Sequence, residues 1–151
     1  MELTVKDVMT LKVKTLRLTE QLSLADDVMN LERIRHLPVL DREGDKLIGI
    51  VSQRDLFRGA LAQVVGYNQR ARRKLLDKLQ LKDVMATTVV TTTPNTPLVE
   101  AARILIERKI GCLPVVVDGR LAGILTEADF VALYVNSAEA QSERVSHGQP
   151  E

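Results

Sequence analysis

Two stretches of this chain carry residue types that could do chemistry together: Gly49-Ile50-Val51-Ser52-Gln53-Arg54-Asp55 and Gly123-Ile124-Leu125-Thr126-Glu127-Ala128-Asp129. In each, a glycine and two aliphatic residues precede a hydroxyl, and a carboxylate follows three residues later. If the hydroxyl stands at the start of a helix, it meets free N–H groups and the positive end of the helix dipole, where a phosphate or sugar oxygen can bind. A carboxylate one turn on can accept both hydroxyls of a ribose. The same spacing is also that of a capping box, in which hydroxyl and acid satisfy main-chain N–H groups with no ligand at all. Three features weigh toward a ligand: Gly49 and Gly123 keep side chains away from the junction, Arg54 adds a cation beside Asp55, and the constellation occurs twice.

The elements that must position these motifs are themselves doubled. Lys6-Asp7-Val8-Met9 returns as Lys82-Asp83-Val84-Met85, and Leu37-Pro38-Val39 as Leu113-Pro114-Val115. After the polar stretch Asp41 to Lys46 the offset shortens by two residues, which a turn between two strands tolerates. Each copy reads as strand, helix, strand, strand, helix. Val13 and Thr15, with Val89, Val90 and Thr91, read as a first strand. Leu22, Ala25, Val28, Met29 and more loosely Leu31 form the apolar face of the first helix; Leu98, Ala101, Ala102, Leu105 and Ile106 form its copy, capped by Thr96 with Pro97 in the first turn. Leu37–Leu40 and Leu47–Ser52 read as a hairpin, as do Val115–Val117 and Leu121–Leu125 around Asp118-Gly119. Second helices start near Ser52 and Thr126.

The domain reading is a first repeat over 1–66, a connecting segment over 67–80, a second repeat over 81–136 and a disordered tail over 137–151. The region from Arg58 to Gln80 carries Arg58, Arg70, Arg72, Arg73, Lys74 and Lys78 against Asp77 alone, with Leu75, Leu76 and Leu79 as an apolar stripe. It reads as a basic helix after a break near Gly66-Tyr67-Asn68. Its charge is that of a solvated face covering the repeat, or of a surface for nucleic acid or an acidic partner.

Composition bounds the function. Lys plus Arg number 21 and Asp plus Glu 20, so there is no bulk electrostatic pull toward nucleic acid or membrane, and an anion site must be local. No apolar run approaches the ~20 residues that span a bilayer, and no secretory leader is evident, which makes the cytoplasm the expected address. Cys112 is the only cysteine, beside His36 and His147; a buried apolar role suits it better than a metal or a nucleophile. No nucleophile has a neighbouring base, so no catalysis is expected.

The paired Leu-Pro-Val strands, the doubled Gly-Ile-x-Ser/Thr-x-x-Asp and the Lys-Asp-Val-Met that opens each half resemble tandem CBS domains, the cystathionine β-synthase repeat that pairs as a Bateman module. The resemblance runs from about Thr4 to Tyr134. It implies an α/β (α+β) fold of two βαββα repeats packed about a pseudo-twofold axis, with clefts between them that bind AMP, ADP, ATP or other adenosyl ligands such as S-adenosylmethionine or NAD. Carried over residue by residue, Asp55 and Asp129 would hold ribose and Ser52 and Thr126 would contact ribose or phosphate. Arg35-His36 and Gly111-Cys112, just before Leu-Pro-Val, would face phosphate. Val13-Lys14 and Val89-Val90 would line the adenine pocket of the opposite half's site.

The copies differ where charge matters. Arg35, His36 and Arg54 in the first half stand against Gly111, Cys112 and Ala128 in the second, so the expectation is a stronger phosphate site around Asp55 and a weaker, empty or less charged one around Asp129. The functional expectation is a regulatory adenosyl-ligand sensor that modulates an unidentified protein partner, with neither cofactor nor metal required. It would associate as a homodimer through faces such as Phe57, Leu61, Val64, Phe130, Val131 and Tyr134. The alternatives are a scaffold or dimerisation module that binds no ligand, or a nucleic-acid-associated protein acting through 70–78.

Overall fold

The computed structural model describes residues 2–61 and 69–148, the side chains of 59–61, 69, 71, 72 and 75 excepted. The expected break at Gly66-Tyr67-Asn68, Val64, and the end of the expected tail at 149–151 lie outside the described residues. In chain order the elements are α1 (Val5–Val8), β1 (Leu16–Arg17), α2 (Leu22–Glu32), β2 (His36–Leu40), β3 (Leu47–Ser52), α3 (Gln53–Leu61), α4 (Gln69–Lys78), α5 (Leu81–Val84), α6 (Leu98–Arg108), β4 (Cys112–Val117), β5 (Arg120–Thr126) and α7 (Glu127–His147). They form two compact units.

The first unit comprises Lys12–Val90 with Val116–Leu121. Its sheet has the order β1-β2-β3. Leu16 pairs in parallel with Val39, and β2 runs antiparallel to β3 with His36 opposite Ser52. Leu16, Leu22, Ala25, Met29, Leu37, Val39, Val51, Leu56, Leu76 and Leu81 make one buried cluster, with Val84 and Met85 packed against it. The second unit comprises Met1–Leu11, Thr91–Val115 and Ala122–Glu151. There Val5, Leu98, Ala101, Leu105, Leu113, Val115, Ile124 and Leu125 are buried.

The Lys-Asp-Val-Met segments are not housed as their order in the chain suggests. Val5–Met9, which precedes the first copy, lies in the unit built on β4, β5 and α7, and Leu81–Met85, which precedes the second, lies in the unit built on β2, β3 and α3. Each acts as a strap. Thr10 and Ile124 exchange main-chain bonds, N–H to O at 2.8 and 3.0 Å, and Ala86 and Ile50 exchange the equivalent pair at 2.9 and 3.0 Å. The repeated residue types follow from this. Asp7 accepts the Thr4 N–H at 2.8 Å and Asp83 the Gln80 N–H at 3.3 Å, closing capping boxes on α1 and α5. Val5 and Leu81 enter the two cores with no exposed surface, and the methionines reach the glycines of the motifs.

Several sequence expectations shift. The first strands are shorter and later than expected: Val13 to Thr15 precede β1, and in the second copy the strand contracts to one parallel bridge, Thr92 with Val115, in the register of Leu16 with Val39. Helix α6 is capped by Pro97, while the Thr96 hydroxyl lies 2.9 Å from that of Thr93. A rigid proline at that position already holds the extended geometry a cap requires. Ile106 and Leu31 are 77% and 81% exposed, outside the buried helix faces. The tail expected from 137 is instead helix: α7 continues to His147, exposed on every side beyond Ser137. Ala138, Glu139, Ala140, Gln141, Glu143 and Arg144 are good helix formers, so a rigid helical start propagates through them at one hydrogen bond per residue.

The basic segment is α4, which packs on α2 and α3. Leu76 is buried and Leu79 half-buried. Arg73 makes a bidentate pair with Asp27 of α2, both bonds 3.0 Å. Part of the positive charge is therefore spent on docking the helix. The turn Asp118-Gly119 has φ of 52° and 78°, the left-handed values a two-residue type I′ hairpin requires. In the first unit the Leu47 N–H donates to Gly119 O at 3.0 Å, and Arg120 pairs with Asp45 at 3.0 Å. Of the expected association face, Phe57, Val131 and Tyr134 are half or more exposed and Phe130 is half-buried.

Candidate functional site

Each motif lies where a strand hands over to a helix. In the first unit β3 ends at Ser52 and α3 begins at Gln53. The Ser52 N–H donates to Asp55 Oδ2 at 2.9 Å and the Asp55 N–H donates to Ser52 Oγ at 3.0 Å. This is a complete capping box, so the hydroxyl and carboxylate have a structural use before any ligand arrives. Asp55 Oδ1 has no hydrogen-bond partner among the described residues. The Gln53 N–H donates to Arg35 O at 2.8 Å, and His36 is the ladder partner of Ser52. The main chain thus brings Arg35, His36, Ser52, Arg54 and Asp55 to the start of α3, with both arginines exposed.

In the second unit β5 ends at Thr126 and α7 begins at Glu127. The Thr126 N–H donates to Asp129 Oδ2 at 2.8 Å, the Thr126 hydroxyl donates to the same oxygen at 3.3 Å, and the capping box is again complete. Here the second carboxylate oxygen is also engaged: the Thr10 hydroxyl donates to Asp129 Oδ1 at 2.8 Å. The Glu127 N–H donates to Gly111 O at 3.3 Å, repeating the contact made by Arg35 with no side chain to add charge. Cys112 is buried, and burial pushes its thiol up to about 12. It is an apolar filler at neutral pH, as its lone occurrence suggested.

The glycines have a different reason from the one first expected. A Cβ on Gly123 would sit 2.8 Å from Met9 Sδ and 2.9 Å from Thr10 O; one on Gly49 would sit 2.8 Å from Met85 Sδ and 3.0 Å from Ala86 O. They are small so that the straps can lie against them.

The remaining expected site residues are distributed unevenly. Val13, Lys14, Val89 and Val90 all belong to the unit of Asp55. Val13, Val89 and Val90 are half-buried, and exposed Lys14 lies 3.8 Å from Glu32. Sequence reasoning missed Thr10, Met9 and Met85 as neighbours of the motifs. The signal was present in the comparison of copies, where Thr10 aligns with Ala86. No group of side chains suited to a metal occurs among the described residues, and no helix of these residues is long and apolar enough to cross a membrane.

A doubled strand-helix-hairpin unit whose hydroxyl and acid meet at a strand-to-helix junction defines an α/β repeat protein built from two copies of one motif. The chain belongs to the CBS domain family, whose model matches residues 5–62 and 81–136. Among solved structures it is similar to a Vibrio cholerae protein assigned to acetoin utilization (AcuB), with 37% identity, a TM-score of 0.79, and coverage of 99% of this chain and 100% of that one. It is similar to the CBS domain pair of protein MJ0100 in complex with 5′-methylthioadenosine and S-adenosyl-L-methionine (27% identity, TM-score 0.74, covering 91% and 99%). It is likewise similar to CBSX2 in complex with AMP (29% identity, TM-score 0.73, covering 89% and 98%).

Proposed function

We propose that this chain is a regulatory module that senses an adenosyl ligand and modulates a partner protein, with no catalysis of its own. The observation that carries the reading is the start of α3, where Asp55 presents a carboxylate oxygen unpartnered among the described residues beside the Ser52 hydroxyl, with Arg35 and Arg54 exposed nearby. Asp55 Oδ1 accepts a ribose hydroxyl, Ser52 meets ribose or phosphate oxygens at the positive end of α3, Arg35 and Arg54 neutralise phosphate, and His36 faces it. Val89 and Val90, in the unit that holds Asp55, contact the base. AMP, ADP or ATP suits this charge, and the AMP complex of the similar CBSX2 supports that choice. Thr126, Asp129 and Cys112 mark a second site with no comparable cation, suited to a less charged adenosyl group such as those held by the MJ0100 pair. The bound ligand acts by favouring one of two conformations, which the partner distinguishes.

The experiment is thermal unfolding of the chain with AMP, ADP, ATP, S-adenosylmethionine and NAD in turn. A ligand at about 100 times its dissociation constant stabilises the fold by about 2.7 kcal/mol, a shift of several degrees for a chain of this size. Asp55→Ala removes the shift given by AMP. If no ligand of the panel moves the transition, the two motifs are helix caps and the chain is a scaffold.

A further inference from the structure

The two motifs differ in one contact that neither aligned motif contains. In both units the strap runs past the strand-to-helix junction with the same main-chain geometry: Thr10 exchanges two bonds with Ile124, and Ala86 exchanges two with Ile50. At the first position the side chain carries a hydroxyl, and it donates to Asp129 Oδ1 at 2.8 Å. At the second it is a methyl group, so the equivalent oxygen of Asp55 receives nothing from its strap. Asp129 has both oxygens engaged, Oδ2 by Thr126 and Oδ1 by Thr10, whereas Asp55 has only Oδ2 engaged among the described residues.

We propose that Thr10 is an occupancy-determining residue: its hydroxyl stands in for a ribose hydroxyl on Asp129 and closes that motif, while Ala86 leaves the Asp55 motif open. The inference rests on the adenosyl reading of the motifs and adds to it a residue outside them, on a segment 119 residues away in sequence. A ribose diol binding at Asp129 has to displace the Thr10 hydroxyl. A hydrogen bond to a charged group is worth enough to weaken binding by about ten- to a hundredfold when it must be broken. A ribose at Asp55 displaces no strap hydroxyl.

The test exchanges the two residues in the full chain and titrates AMP calorimetrically into wild type, Thr10→Ala, Thr10→Ser and Ala86→Thr. Each is also paired with Asp55→Asn or Asp129→Asn to assign the binding events. Thr10→Ala is expected to tighten the event that depends on Asp129 by about tenfold or more and to leave the Asp55 event unchanged. Thr10→Ser, which keeps the hydroxyl, leaves both at wild-type values. Ala86→Thr weakens the Asp55 event by a similar factor. The main-chain pairs with Ile124 and Ile50 do not depend on these side chains, so the folds persist. Loss of the Asp129 event in Thr10→Ala overturns the proposal, because the hydroxyl would then hold the ligand instead of excluding it. Unchanged constants in both Thr10→Ala and Ala86→Thr, with AMP still bound, overturn the gate alone. Failure of every protein to bind any nucleotide of the panel removes the adenosyl reading and the gate with it.

Discussion

At Gly123 the choice of residue is decided by a distance. A Cβ there would meet Met9 Sδ at 2.8 Å and the main-chain oxygen of Thr10 at 2.9 Å. The sulfur can swing away, but the carbonyl is held in a bridge to Ile124 and cannot. Gly123→Ala is therefore expected to destabilise the fold by about 1–3 kcal/mol, the range for overpacking a filled site. Adding Met9→Ala relieves only part of that loss. Gly119→Ala meets no atom within 4 Å and has only the positive φ of 78° to contend with, a cost of about 1 kcal/mol. Chemical denaturation of the three variants checks the order; an equal loss at Gly119 and Gly123 would contradict the strap as the reason for the glycine. The sequence showed that a glycine stood beside each hydroxyl, but not what it made room for. Composition alone does not separate room for a ligand from room for a methionine.

The straps are short elements held by their ends. Asp7 lies below the usual carboxylate range, chiefly because the Thr4 N–H donates to it and secondarily because the Thr4 hydroxyl does. A carboxyl whose folded-state pKa is depressed stabilises the fold fully above its unfolded value near 4, and that contribution is lost as pH falls through the lower folded value. Asp7→Asn is thus less resistant to urea than wild type at pH 7, and the gap between them closes below about pH 4. A gap of equal size at pH 7 and pH 3 would show that the capping charge contributes nothing. The helices and hairpins of each repeat were legible because apolar spacing reports which face is buried. The first strands were misplaced by one to three residues because Val13 and Val89 have strand propensity, while register is set by pairing with Val39 and Val115. Helix α7 outran its expected end because a polar stretch with good helix propensity has no apolar period to announce it.

At the scale of the molecule, the repeat made the family recognisable and the fold class followed from it. It did not reveal that the straps are exchanged: the copies share the same residue types, so either strap satisfies either core by pattern alone. Only the pairing of Thr10 with Ile124 and Ala86 with Ile50 decides it. Self-association is a proposal at this scale, motivated by the exposed Phe57, Val131 and Tyr134. Sedimentation equilibrium at micromolar concentration is expected to give a dimer that Tyr134→Glu weakens, and a monomer at every concentration would contradict it. On the proposed function the two motifs are unequal, with the stronger adenosyl site at Asp55. Equilibrium dialysis of labelled AMP against wild type, Asp55→Ala and Asp129→Ala tests it most directly. The tighter binding is expected to be lost in Asp55→Ala and kept in Asp129→Ala; tight binding that survives Asp55→Ala and is lost in Asp129→Ala would overturn that ranking.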